Sequence, residues 1–102
     1  MATALIIGAG IGGLAAAVAL QRAGLEVKVF ERSPVVREAG AGLSLWPNAL
    51  RAVGELGLSD SLNAIALRGG GEIRTAQEEV LSRFSESDLA ARYGDAVAYV
   101  HR

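Results

Sequence analysis

The sequence predicts an α/β fold with a βαβ core, and three stretches carry that reading. Thr3 to Ile7 is a β-branched and apolar run without polar alternation, as expected of a strand buried on both faces of a parallel sheet. Four glycines at positions 8, 10, 12 and 13 follow at once and lead into Ile11 to Ala23, a run of helix formers that is apolar nearly all round. Glu26 to Glu31 then alternates polar and apolar residues with the period of a strand. Strand, helix and strand within about 30 residues make one βαβ unit.

Each element has its punctuation. The glycine cluster ends the first strand, and Gly24 stands in the C-cap place of the helix, just after Gln21 and Arg22. Ser33-Pro34 stops the second strand. Residues 35 to 47 read as a long connection holding Gly40 and Gly42 and ending at Trp46-Pro47. Pro47-Asn48 opens a helix over 47–57, with Leu50 and Val53 on one face and Gly57-Leu58 as its cap. Ser59 is placed to cap one further helical turn. Ala64 to Thr75 and Val80 to Phe84 read as the strands of a hairpin connected through Ala76 to Glu79, although no Asn-Gly turn is present. A short helix over Ser87 to Arg92 ends at Gly94, and Val97 to Val100 forms a last strand. The expected organisation is a single, incomplete domain over 1–102: a βαβ core at 3–31, a loop at 32–47, the helix, and the hairpin with the final strand at 64–100.

Composition narrows the chemistry. Of the 102 residues, 51% are hydrophobic, enough for one core, but 13 are glycine and 5% are aromatic, so core volume has to come from Leu, Ile and Val. Ten basic and eleven acidic side chains leave a net charge of -1 with no stripe of either sign, which argues against a nucleic-acid binder. The absence of cysteine excludes disulfides, thiolate nucleophiles and Cys-ligated metals, and the lone His101 cannot build a multi-His metal site. No charge occurs from Met1 to Gln21, yet no basic residue precedes this stretch and the glycine cluster weakens any spanning helix. The expectation is a soluble cytoplasmic protein without an integral membrane segment.

The glycine cluster carries the functional signal. Gly8, Gly10 and Gly13 satisfy G-x-G-x-x-G between a strand and a helix start. In that setting the first glycine permits the tight turn, the second lets a pyrophosphate approach the backbone, and the third lets helix and strand pack closely. The open N–H groups at the helix start, Gly12 included, favour an anion. Leu14-Ala15 follows Gly13 where a P-loop has Lys-Ser/Thr, which disfavours a nucleoside triphosphatase. Glu31, eighteen residues beyond Gly13 at the end of the second strand, stands close to where a carboxylate accepts hydrogen bonds from an adenosine ribose. A carboxylate there repels a 2′-phosphate, so FAD or NAD is expected rather than bound NADP. The spacing alone does not separate those two.

The downstream residues do bear on that choice. Glu31-Arg32-Ser33-Pro34, the stretch from Arg37 through Gly40-Ala41-Gly42 and Trp46-Pro47-Asn48 to Ala52, and the closing His101-Arg102 resemble the N-terminal part of FAD-dependent aromatic-ring monooxygenases. These are flavoproteins of the p-hydroxybenzoate and salicylate hydroxylase type, with a glutathione-reductase-like FAD domain, and the resemblance spans essentially the whole chain. It implies a flavin reduced by NAD(P)H that transfers one oxygen atom of O2 to a small aromatic or polyketide-like substrate. Position by position, it implies that Gly8, Gly10 and Gly13 hold the pyrophosphate, Glu31 the ribose, and Arg32 the surroundings of the adenine. Gly40, Ala41 and Gly42 would bring bare backbone to the ribityl chain and flavin ring, with Arg37 and Arg102 as cationic partners of phosphates or ribityl hydroxyls. Trp46 and His101 read as packing and structural residues. No catalytic residue is implied.

The chain stops before the family's Asp-Gly and Gly-Asp motifs and its substrate-binding sheet. On its own it would hold a flavin on an open half-site and is not expected to turn over. Its incomplete sheet would leave unpaired edges that favour self-association. Two alternatives stay open: an NAD-binding module of a dehydrogenase, which requires parallel strands beyond residue 64, and a non-catalytic nucleotide-binding module acting with a partner chain. Epoxidases and halogenases share much of the same N-terminal pattern.

Overall fold

The computed structural model describes residues 1–35 and 42–101. The chain falls into two compact units, Met1–Arg37 and Glu38–Arg102. In the first, strands β1 (Thr3–Ile7) and β2 (Glu26–Phe30) flank helix α1 (Ile11–Arg22). The strands pair in parallel, with Thr3 opposite Glu26 and Ile7 opposite Phe30. Helix α1 closes with the double bond of a Schellman cap: Gly24, at φ +90°, donates to the Gln21 carbonyl and Leu25 to that of Leu20.

One expectation fails in this unit. Neither β1 nor α1 is fully buried: Leu5 is 65% and Ile7 83% exposed, and α1 has no buried residue. A two-stranded sheet with a single helix offers apolar cover on one side only, so residues patterned for a two-faced sheet keep one face open.

The second unit holds strand β3 (Gly42–Leu45), helices α2 (Pro47–Glu55) and α3 (Ser59–Asn63), strands β4 (Leu67–Gly69), β5 (Gly71–Arg74) and β6 (Val80–Phe84), helix α4 (Glu86–Tyr93) and strand β7 (Val97–His101). β7 is the centre of an antiparallel sheet ordered β3-β7-β4, while β5 and β6 form a separate hairpin. The core is small: Leu89, Ala96 and Val97 cluster with Phe84 against them, and Leu50 and Ala98 are also buried. Helix α2 ends in a second Schellman cap through Gly57, at φ +74°, with Leu58 donating to the Val53 carbonyl. Helix α4 is capped at both ends: the Ser85 hydroxyl accepts the Asp88 N–H at 3.0 Å at its start, and Gly94, at φ +85°, donates to the Ala90 carbonyl at its end.

Three details differ from the sequence reading. Gly42–Leu45, placed inside a connection, is a strand whose partner lies more than fifty residues away. The single strand expected over 64–75 is two strands in two sheets, broken at Gly70. The break has a steric cause, because a Cβ on Gly70 would lie 2.0 Å from the Phe84 carbonyl oxygen, so the chain crosses the end of β6 with no room for a side chain. Ser59 is the first residue of α3 rather than its cap, and no side chain caps that helix.

Candidate dinucleotide-binding site

The glycine turn is built by the register of the first unit. Gly8 leaves β1 at φ +103°, where only glycine is unstrained, and its N–H donates to the Phe30 carbonyl at 2.7 Å. That bond ties the start of the turn to the end of β2. Gly13 is the tight packing point, since a Cβ there would stand 2.0 Å from the Gly8 carbonyl oxygen and 3.4 Å from Cγ2 of Ile6. Gly10 and Gly12 are the opposite case. A Cβ on either would meet nothing within 4 Å, which leaves the open approach to backbone that a pyrophosphate needs.

Electrostatics at the turn favour an anion. The first bond of α1 runs from Leu14 N–H to the Gly10 carbonyl, so the N–H groups of Ile11, Gly12 and Gly13 have no helical partner. Gly10 caps the helix without a side chain, and no acidic residue lies in the first turn to compete for those donors.

Glu31 follows β2 directly and is held beside this turn. Its Oε2 accepts the Ala9 N–H at 2.9 Å and its Oε1 the Ser33 N–H at 3.3 Å. The Ala9 bond first, and the Ser33 bond after it, hold the carboxyl below the ordinary glutamate range against a small desolvation cost, with lesser contributions from the Arg32 backbone N–H and then its guanidinium. Ala9 and Ser33 are parts of the site that the sequence pattern does not reveal, because their contribution is a backbone N–H. Arg32 is exposed next to Glu31.

The remaining candidates lie in the second unit or outside the described residues. Arg37, Gly40, Ala41 and Arg102 fall outside them. Gly42 opens β3 and is exposed, and among the described residues the Val100 carbonyl oxygen, at 3.9 Å, is what a would-be Cβ meets. It pairs in register with His101, so two segments far apart in sequence that the resemblance assigns to the flavin meet at one edge of the β3-β7-β4 sheet. Trp46 is tilted at 46° against Phe84 with ring centroids 5.5 Å apart, while remaining 44% exposed. Among the described residues no group of three His, Asp or Glu side chains could hold a metal, and no helix is long and apolar enough to cross a membrane.

Comparison with known proteins accords with this geometry. Residues 6–37, the βαβ unit, match the NAD(P)-binding Rossmann-like domain. Over 98% of its length the chain is 40% identical to aurachin C monooxygenase/isomerase of Stigmatella aurantiaca, covering 26% of that protein. It is 35% identical over 97% of its length to the FAD-dependent urate hydroxylase of Klebsiella pneumoniae, again covering 26% of the relative. The crystal structure of Klebsiella pneumoniae HpxO complexed with FAD and uric acid superposes on 99% of the chain with a TM-score of 0.77 and 34% identity, and the chain covers 26% of it. The chain thus spans about a quarter of the length of the curated relatives it matches. It is the counterpart of the N-terminal, FAD-binding part of FAD-dependent aromatic-ring monooxygenases.

Proposed function

We propose that residues 1–102 form one incomplete FAD-binding domain serving a flavin monooxygenase that hydroxylates an aromatic or polyketide-like compound with NAD(P)H and O2. The observation that carries this is the glycine turn: open backbone at Gly10 and Gly12, free helix N–H groups, and the Glu31 carboxylate fixed beside them by Ala9. The residues fit the adenosine half of the cofactor. Gly8, Gly10, Gly12 and Gly13 hold the pyrophosphate, Glu31 accepts from the ribose hydroxyls, and Arg32 lies near the adenine. Arg37, Ala41, Gly42 and Arg102 serve the ribityl and flavin half. A flavin held by these residues would supply the redox chemistry by which NAD(P)H and O2 hydroxylate the ring, the second oxygen atom leaving as water.

The topology favours FAD over a dehydrogenase's NAD. A dehydrogenase half would continue with parallel strands, whereas β3, β4 and β7 pair antiparallel, as do β5 and β6. The relatives' names and the FAD in the HpxO complex support the same choice.

Gel filtration of the chain with excess FAD, read by the visible flavin spectrum beside a Glu31→Ala variant, tests the reading. Flavin is expected to co-elute with the wild type and to be largely lost from the variant. Retention of NAD in preference to FAD by the folded chain overturns it.

A further inference from the structure

The β3-β7-β4 sheet has one face of which the cofactor reading uses only Gly42, at its end. The strand period places Gly42 and Ser44 of β3, Tyr99 and His101 of β7, and Leu67 of β4 on the same side. These side chains are exposed, whereas Leu43, Leu45 and Val100, on the other side, are half-buried. Register aligns three of them in a row across the sheet, with Ser44 opposite Tyr99 and Tyr99 opposite Leu67. Three strands span about 10 Å, the breadth of one or two fused aromatic rings. A cleft of about 430 Å³ lies over this row, bordered by Gly42, His101 and Val100.

The row is chemically selective. The Tyr99 ring is fixed, because its hydroxyl donates to the Gly70 carbonyl at 3.2 Å and its Cε2 lies 3.6 Å from where a Cβ on Gly69 would be. It is therefore a preset flat surface rather than a mobile side chain. Leu67, 75% exposed, extends that surface with aliphatic area. The Ser44 hydroxyl has no hydrogen-bond partner among the described residues and stands on the opposite side of the ring. Among the described residues neither a carboxylate nor a guanidinium or ammonium group borders the cleft. An apolar floor edged by the Ser44 hydroxyl and, at the Gly42 end, by the His101 imidazole suits a flat aromatic ring bearing a polar substituent.

Location supplies the occupant. Gly42 and His101, at one end of the row, mark where the two segments assigned to the flavin meet, and Ser44 and Tyr99 lie two residues inward, about 7 Å along the strands. We infer that Ser44, Tyr99 and Leu67 form the floor on which the aromatic ring of the substrate rests beside the flavin, with Ser44 hydrogen-bonding its polar edge. This rests on the monooxygenase reading above and adds the residues that meet the ring.

The test is an amide-resolved NMR titration of the 102-residue chain with 2-naphthol, with and without excess FAD, and with cyclohexanol as the non-aromatic control. Saturable shifts are expected at Ser44, Leu67, Gly69 and Tyr99 with 2-naphthol and not with cyclohexanol. Ser44→Ala is expected to weaken 2-naphthol about fivefold, the effect of one lost hydrogen bond, with recovery in Ser44→Thr. Leu67→Lys, at an exposed position, is expected to abolish the shifts while leaving the spectrum of the folded chain intact. Shifts centred elsewhere, equal affinity in both variants, or displacement of the same resonances by FAD alone each overturn the assignment. Flavin absorbance and the amides of Ile11 to Gly13 report FAD binding separately, so loss of the cofactor reading is distinguishable from loss of the ring floor.

Discussion

The most informative single residue is Glu31, because its role depends on charge. Two backbone N–H groups stabilise its ionised form, so its folded pKa lies below the unfolded value. A depressed carboxyl pKa contributes stability that is fully present above the unfolded pKa and is lost as pH falls through the folded one. The expected outcome is a Glu31 carboxyl titration, followed by carbon NMR, with its midpoint below the ordinary glutamate range. FAD retention should decline over that same acid window, and Glu31→Gln should remove the dependence. A midpoint within or above that range would show that the Ala9 and Ser33 contacts do not form in solution. Gly13 makes a second residue-scale case, a steric one. A Cβ placed 2.0 Å from a backbone oxygen meets an atom that cannot rotate away. Overpacking costs about 1–3 kcal/mol and occasionally more, so Gly13→Ala belongs at the upper end. Denaturant unfolding is expected to show that loss, whereas Gly12→Ala, with open space around it, should cost far less. A Gly13→Ala chain as stable as wild type would mean that the turn opens readily.

At the level of elements, caps and turns account for what was legible. Gly24, Gly57 and Gly94 all sit at positive φ where helices end, so a local rule sufficed to find them. The glycine turn was legible for the same reason, each position having its own steric requirement. Non-local pairings were not. β3 is four residues long, too short for its period-two pattern to stand out, and its partner β7 is distant in sequence. The hairpin turn carries no Asn-Gly because Glu78 takes the left-handed position at φ +66° while the Thr75 hydroxyl accepts the Gln77 and Glu79 N–H groups. The Ala9 bond to Glu31 was likewise hidden, since it depends on strand register rather than on residue type. The cap of α4 gives the element-scale prediction. Removing the Ser85 hydroxyl leaves the Asp88 N–H unpartnered, and Ser85→Ala is expected to cost about 1 kcal/mol of stability in denaturant unfolding. Ser85→Gly should cost only a few tenths. Equal loss in both would assign the effect to packing of the serine against its neighbours instead of to the cap.

For the whole molecule the decisive quantity is the ratio of open to buried apolar surface. Leu50, Leu89, Ala96, Val97 and Ala98 are the hydrophobic residues buried among those described, and two of the five are alanine. Against them stand Leu5, Ile7, Ile65 and Leu67, all between 65% and 83% exposed. Burying one such side chain is worth about 1.5–3 kcal/mol, a large share of the marginal stability of a domain this size. Among the described residues β1 and β2 pair only with each other, so each keeps a row of backbone groups without a strand partner along one side. Edge and apolar face coincide at Leu5, in the middle of β1 and away from the glycine turn. We therefore expect light scattering across a concentration series to show an apparent mass that rises from that of one chain. Leu5→Lys should suppress the rise, because a buried ammonium at such a contact is strongly unfavourable and costs nothing on an exposed strand. A single-chain mass at every concentration, or association unchanged by Leu5→Lys, would mean that this face is not where copies of the chain meet.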